Sequence, residues 1–244
     1  NSPKSLIMVD SSETNLYNLE QEVVKKFIDN HKVSLKLILG NVKDYLFVKD
    51  IFKKNNIDIV IHAAAYKHVP LIEKNPLQGI ENNVFSTYSV CKAAEDSKVR
   101  KVTLISTDKA VRPSNVMGAS KRLAELVFQA YADKNKKNKI NNKDKFTKFS
   151  IVRFGNVLNS SGSVVPLFKK QIANGGPLTL THKKIIRFFM TVPEAAQLVI
   201  QATTLSEGGE VFLLDMGDPI RIYDLAKQMI RLSGFSIKTK DNPK

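Results

Sequence analysis

The sequence predicts an α/β fold, a doubly wound parallel sheet with a smaller C-terminal lobe, from three observations. Short apolar runs alternate with amphipathic stretches from the first residues to Phe154. The runs are continuously apolar, as in strands covered on both faces, and they do not show the polar alternation of a half-exposed sheet. Beyond residue 155 the alternation loosens into shorter pieces.

Leu6-Ile7-Met8-Val9 reads as a buried strand ending at Asp10. The Ser11-Ser12 pair suits an N-cap, and Leu16, Leu19, Val23 and Phe27 follow at helical spacing. A second strand over 35–39 stops at Gly40, a short helix covers 45–54, and a third strand covers 57–62. A long helix is expected over 76–97, a strand over 101–105, a helix over 115–133 and a strand over 149–154. Short strands over 178–180 and 211–214, with helices over 193–205 and 222–232, make up the lobe. No internal repeat is seen.

Composition narrows the function classes. The 244 residues, 43% hydrophobic and 25% charged, describe an ordinary globular chain. A domain of this size buries roughly 70–75% of its unfolded surface without staples. The single cysteine, Cys91, excludes an internal disulfide and a multi-cysteine zinc site and suits a reducing compartment, so no metal is expected. No apolar run approaches the roughly 18 residues of a membrane span, and no basic-then-apolar leader opens the chain. It begins with Asn, so a fragment of a longer chain is expected. Of the net charge of +15, residues 133–148 contribute seven lysines against two aspartates, in a Lys/Asn-rich stretch that reads as a solvated insertion. No aromatic-interleaved basic motif, zinc finger or recognition helix accompanies the charge. An anionic small molecule is therefore the expected partner, and nucleic acid is not.

In a doubly wound sheet, ligands bind beyond the carboxyl ends of the strands. A dinucleotide-binding sheet opens with a strand and a Gly-rich turn, yet no glycine precedes Gly40. Either the fold binds no dinucleotide or the chain starts after that first unit; the remaining residues favour the second. Asp10, ending the first strand, is either a capping residue or the acid that binds the adenosine ribose and favours NAD over NADP. Asn41 and Val42 follow the next strand, where an adenine edge would lie. Ala63, Ala64 and Ala65 either let a flat ligand approach the backbone or serve helix–sheet packing. Lys67 and His68 follow on the same edge. The densest group is Ser106-Thr107-Asp108-Lys109, with Met117 and Lys121 one turn apart on the next helix. An adjacent Asp and Lys can act as proton donor and base.

The string STDKAVRPSNVMGASKR, residues 106–122, resembles the catalytic segment of the extended short-chain dehydrogenase/reductases, and within them the polysaccharide-biosynthesis branch that contains the nucleoside-diphosphate-sugar 4,6-dehydratases. DIVIHAAAYKHVPLIEKNP (58–76), ENNVFSTYSV (81–90), VRFGNVLNSSGSVVPLFKKQI (152–172), IRFFMTVPEAAQLVIQA (186–202) and MGDPIRIYDLAKQMIRLSG (216–234) extend the likeness over nearly the whole chain. The resemblance implies a Rossmann-like core over residues 1–155, lacking its first strand and Gly-rich turn, and a mainly substrate-binding lobe over 156–244.

The family usually carries Tyr four residues before the helix lysine, whereas Met117 stands here, as in membrane-associated UDP-N-acetylglucosamine 4,6-dehydratases. A thioether takes no proton, which argues against a tyrosine-dependent 4-epimerase. The implied reaction is an NAD-dependent 4,6-dehydration of a UDP-sugar. In it Lys109 removes the C5 proton, Asp108 protonates the leaving 6-hydroxyl, Thr107 holds the 4-oxygen, and Lys121 binds the nicotinamide ribose. Arg153, Asn156, Ser163, Arg187 and Arg221 are the implied or candidate contacts to the uridine diphosphate and sugar. The resemblance further implies a homo-oligomer paired through the helices at 76–97 and 115–133. It also implies a cytoplasmic location, with any membrane anchor in a segment before residue 1. The competing readings are a UDP-sugar 4-epimerase and a non-catalytic sugar-nucleotide-binding domain.

Overall fold

Four strands, β3 (Ile59–His62), β4 (Lys101–Thr107), β5 (Lys148–Phe154) and β9 (Val211–Leu213), pair in that order as a parallel sheet. The computed structural model describes residues 3–27, 33–141, 146–160 and 162–237. Two further strands, β1 (Ser5–Asp10) and β2 (Ser34–Leu39), pair in parallel with each other alone. Among the described residues β1 and β3 each keep one edge unpaired. In the doubly wound order 3-2-1-4-5-6 the opening strand lies between the second and fourth. The division of the sheet falls at that place, and beside it Ile59 and Ile61 of β3 are 51% and 46% exposed.

A single core nevertheless joins the two pieces. Val48, Ile51 and Phe52 of α2 (Tyr45–Lys54), Val90, Cys91, Ala93 and Ala94 of α5 (Ser86–Asp96), and Ala124, Phe128 and Ala132 of α6 (Val116–Asn141) cluster with strand residues Val102, Leu104, Phe149 and Ile151. Ile7, Val9 and Ile38 of the smaller piece pack against the same cluster. Elsewhere, α1 (Glu13–Phe27) lies against β1 and β2, and α8 (Val192–Leu205) lies against β4 and β5. There Thr103 Oγ1 and Thr203 Oγ1 sit 2.8 Å apart.

The helix expected over 76–97 forms as one helical run from Pro76 to Asp96, in which α4 (Pro76–Ile80) passes through a π turn at Glu81–Phe85 into α5, and a short additional helix, α3 (Val69–Lys74), precedes it. The extra residue per turn places the Asn83 side chain in the interior, 1% exposed. The helix expected to stop at residue 133 continues to Asn141. Ala132 and Asn135 keep an inward face, Asn135 Nδ2 donating to Thr147 O at 2.9 Å, while Lys136 and Lys137 face solvent. The first part of the Lys/Asn-rich stretch is thus helical, and residues 142–145 lie outside the described residues.

The lobe is built from β6 (Asn156–Val157) paired with β8 (Phe189–Met190), β7 (Ile186–Arg187) paired with β10 (Ile220–Arg221), α7 (Val164–Ala173) and α9 (Ile222–Leu232). No strand forms over 178–180. The Gln171 amide holds this segment instead, donating to Thr179 Oγ1 at 2.8 Å and accepting from Thr179 N at 3.2 Å, while Leu178 and Leu180 enter the lobe core around Phe168. Residues 192–213 return to the main sheet as α8 and β9, so the lobe is interrupted and not one block from residue 156 onward.

Candidate active site

β4 runs two residues further than expected, so Thr107 leaves the sheet at the start of a 3-10 turn over Asp108–Ala110. Thr107 Oγ1 accepts from Lys109 N at 3.4 Å and donates to Asp108 Oδ1 at 2.8 Å. Lys109 Nζ donates to Asp108 Oδ1 at 2.9 Å and to Asn156 Oδ1 at 3.1 Å. Thr107, Asp108 and Lys109, from the end of β4, and Asn156, at the start of β6, therefore form one polar cluster. Burial works to raise the Asp108 carboxyl, but the Lys109 ammonium and the Thr107 hydroxyl outweigh it and hold it below its ordinary value. The helix behind this turn comes close because residue 118 is glycine: a Cβ there would lie 2.3 Å from Lys109 O.

Lys121 and Met117 stand one turn apart on α6, 7% and 4% exposed. Lys121 Nζ donates to Ile105 O at 2.6 Å. Burial pushes its pKa down to about 8, opposed by the Glu125 carboxylate. Met117 is a core residue and offers the site no polar atom.

Three buried residues stand behind the site. Asn83 accepts from Tyr66 N at 2.7 Å and donates to Tyr66 O at 3.0 Å and Ser120 Oγ at 2.9 Å, tying the loop after β3 to α6. Glu125, fully buried, accepts from Ser106 Oγ, from Arg122 and from both Nε and Nη2 of Arg153. His62 ends β3 with Nε2 3.1 Å from Thr87 Oγ1. Because Thr87 spends its hydroxyl proton on Asn83 O at 2.6 Å, Nε2 must carry the proton of the His62 ring.

Burial, with the Lys121 charge, pushes His62 from 6.5 down to about 3. The unfolded chain therefore binds a proton below pH 6.5 that the folded chain refuses until about pH 3, and stability falls as the pH drops through this range. The expected loss from His62 is about 2 kcal/mol between pH 7 and pH 5. Urea unfolding at both pH values checks this: His62→Gln should remove the loss, and an equal loss in both proteins refutes it.

The remaining predicted residues divide. Asp10 ends β1 at the same edge and accepts from Ser12 N at 2.8 Å, a turn-closing contact. Asn41 accepts from Lys43 N at 2.9 Å, and Val42, half-buried, packs against the edge of the core. Ala63 and Ala64 are exposed and Ala65 is half-buried. Lys67 and His68 are exposed, and the His68 ring covers Gly162, whose φ of +67° and absent Cβ make room for it.

Asn156, Gly162, Ser163 and Arg187 line a pocket of about 480 Å³, with Leu167, Thr179 and Ile222 among its walls. Ser163 Oγ is buried there without a partner at the start of α7. Two arginines do not join it. Arg153 commits its guanidinium fork to Glu125, at 2.7 and 2.6 Å, which corrects its reading as a diphosphate ligand. Arg221 lies outside the pocket lining, 3.8 Å from Asp224. In the β7–β10 pairing its partner is Ile186, while Arg187 faces Ile220, so the two arginines point to opposite sides.

A family described as "Polysaccharide biosynthesis protein" matches residues 1–244. The chain belongs to this polysaccharide biosynthesis family. One relative is the capsular polysaccharide biosynthesis protein CapD of Staphylococcus aureus, 47% identical over 232 residues, which are 95% of this chain and 37% of CapD. The chain thus spans little more than a third of that relative. A UDP-glucose 4-epimerase of Rickettsia bellii is 37% identical over 213 residues, covering 86% of this chain and 59% of the epimerase. Among solved structures, Pen from Bacillus thuringiensis superposes with a TM-score of 0.84 at 35% identity, over 97% of this chain and 69% of that one. The dTDP-glucose 4,6-dehydratase DesIV from Streptomyces venezuelae, solved as a double mutant with NAD and DAU bound, shares the fold with a TM-score of 0.83 at 19% identity, over 97% of this chain and 74% of that one. Among the described residues, no helix is long and apolar enough to cross a membrane.

Proposed function

We propose that the chain carries a cytoplasmic, NAD-dependent 4,6-dehydratase activity on UDP-N-acetylglucosamine, feeding surface polysaccharide biosynthesis. The observation that carries this reading is the Asp108–Lys109 pair, joined at 2.9 Å beside Asn156, which itself lines the pocket. A dehydration needs one group to take the C5 proton and another to give a proton to the departing 6-hydroxyl, and this pair supplies both.

NAD fits the residues at the strand ends: Ala63 and Ala64 present only methyl groups, Asp10 suits the adenosine ribose, and the Lys121 ammonium suits the nicotinamide ribose. Bound there, NAD supplies hydride acceptance from C4 and its return to C6. The uridine diphosphate is assigned to the 480 Å³ pocket, where Arg187, the unpartnered Ser163 hydroxyl and the first N–H groups of α7 suit phosphate oxygens, with Lys67 and His68 toward the sugar. A homo-oligomer is part of the proposal, because Leu77, Phe85, Tyr88, Leu123 and Leu126 leave apolar surface on neighbouring helices α4 to α6. Sedimentation at the mass of one chain would refute that part.

A second reading, a UDP-sugar 4-epimerase, draws on the Rickettsia relative. Incubation with UDP-N-acetylglucosamine and NAD in D₂O, followed by proton NMR, separates the two. A new 6-methyl signal, left a singlet by deuterium at C5, supports dehydration; inversion at C4 with the 6-hydroxymethyl intact supports epimerisation and overturns the first reading.

A further inference from the structure

One polar side chain of the pocket has no part in the proposed reaction. His182 lines it, on the stretch that leads from Leu180 to β7. That stretch is anchored on both flanks. Before it, Thr179 is bonded to Gln171 of α7. After it, Ile185 N donates to His182 O at 3.3 Å, and Ile185 O accepts from Ile222 N at 2.9 Å, at the start of α9. The ring is fixed as well, because Nδ1 accepts from Lys184 N at 3.1 Å. A ring nitrogen that accepts carries no proton, so the proton is on Nε2. Among the described residues nothing accepts from that Nε2–H. The pocket offers no carboxylate: no Asp or Glu occurs between Asp144 and Glu194, none lines the walls, and Arg187 is their one constantly charged side chain. A diphosphate carries charge on both phosphates, more than a single guanidinium meets, and a spare N–H beside that guanidinium suits the remainder.

We propose that His182 is a specificity-determining residue of this pocket, its Nε2–H donating to a diphosphate oxygen of the bound nucleotide. The inference rests on the placing of the uridine diphosphate in the pocket under the proposed function. A plainer use of the ring is to close its own turn through Nδ1 and Lys184 N. The two uses fall on different ring nitrogens, and substitution separates them. His182→Asn keeps a short acceptor for Lys184 N, as in an Asx turn, and loses the Nε2 donor. His182→Gln keeps a donor near the Nε2 position and loses the turn acceptor.

The test measures UDP binding to the whole chain by calorimetry. Affinity should fall about tenfold in His182→Asn and stay within about threefold in His182→Gln, the loss expected for a hydrogen bond to a charged group. Equal losses, the reverse order, or an unchanged affinity in His182→Asn would mean that the ring serves its turn alone, and each overturns the proposal. Proton–nitrogen NMR of the histidine rings, the His182 signals being those lost in His182→Asn, gives a second readout. Nε2 should be protonated in the free protein, and its signal displaced by UDP and by inorganic pyrophosphate but not by uridine. The opposite tautomer, or displacement by uridine and not by pyrophosphate, removes the donation to phosphate. No UDP binding by the unaltered protein would take the nucleotide out of the pocket, and both readings with it; UDP binding that His182→Asn leaves intact would remove the role of His182 alone.

Discussion

For the proposed dehydration, Lys109→Ala is expected to lower the rate of 6-methyl formation from UDP-N-acetylglucosamine by about 10²–10⁴-fold, the range spanned by a positioned acid or base. At rest, Asp108 is held ionised by the Lys109 ammonium and the Thr107 hydroxyl. That is the reverse of what dehydration requires, since the base must be a free amine and the acid a protonated carboxyl. The pair already holds the one proton it needs. Moving it along the 2.9 Å hydrogen bond from Lys109 Nζ to Asp108 Oδ1 converts ion pair to neutral pair. Water around the half-exposed pair favours the ion pair; a sugar nucleotide that fills the pocket and displaces that water favours the neutral one. Asn156 Oδ1, accepting from Lys109 Nζ at 3.1 Å, keeps the amine turned toward the pocket as its proton leaves. Asp108→Asn should lose as much as Lys109→Ala, and the double variant little more, because the two act as one unit. Product formation by Lys109→Ala within threefold of the unaltered protein would end the acid–base assignment.

What the sequence made legible was local. The helix 45–54 and the helix 222–232 appear at their expected bounds because each has its own amphipathic period, and the first its own cap, Asp44 accepting from Phe47 N. The cluster of Thr107, Asp108 and Lys109 was legible because it is contiguous. What stayed hidden depends on partners distant in the chain. Asn83 meets Tyr66 across 17 residues, and Arg153 meets Glu125 across 28. An arginine at a strand end suits a phosphate or a carboxylate equally well, and only the fold decides which anion it receives. The overlong α6 was hidden for a related reason. A Lys/Asn-rich run looks solvated whether coiled or helical, until Asn135 is found bonded to Thr147.

Because the Arg153–Glu125 pair is buried, cutting it from either side should be costly and removing it whole should not. Glu125 has no exposed side-chain surface and Arg153 has 19%. Burial alone would raise the Glu125 carboxyl, but hydrogen bonds from Arg153, Ser106 and Arg122 outweigh this and hold it below its ordinary 4.5. The network's contribution is therefore complete at neutral pH and fades as the pH falls below 4.5 toward the folded-state value. At pH 7, Glu125→Leu leaves a guanidinium without its anion, and Arg153→Leu leaves a carboxylate that keeps only Ser106 and Arg122. Each is expected to cost about 3–5 kcal/mol in urea unfolding. The double variant replaces two mutually dependent charges by apolar volume and should cost far less than the sum, because neither charge is stranded. Costs that simply add would mean that the two side chains stabilise the fold independently, and that the carboxylate joining β4, β5 and α6 is not one unit with the arginine that saturates it.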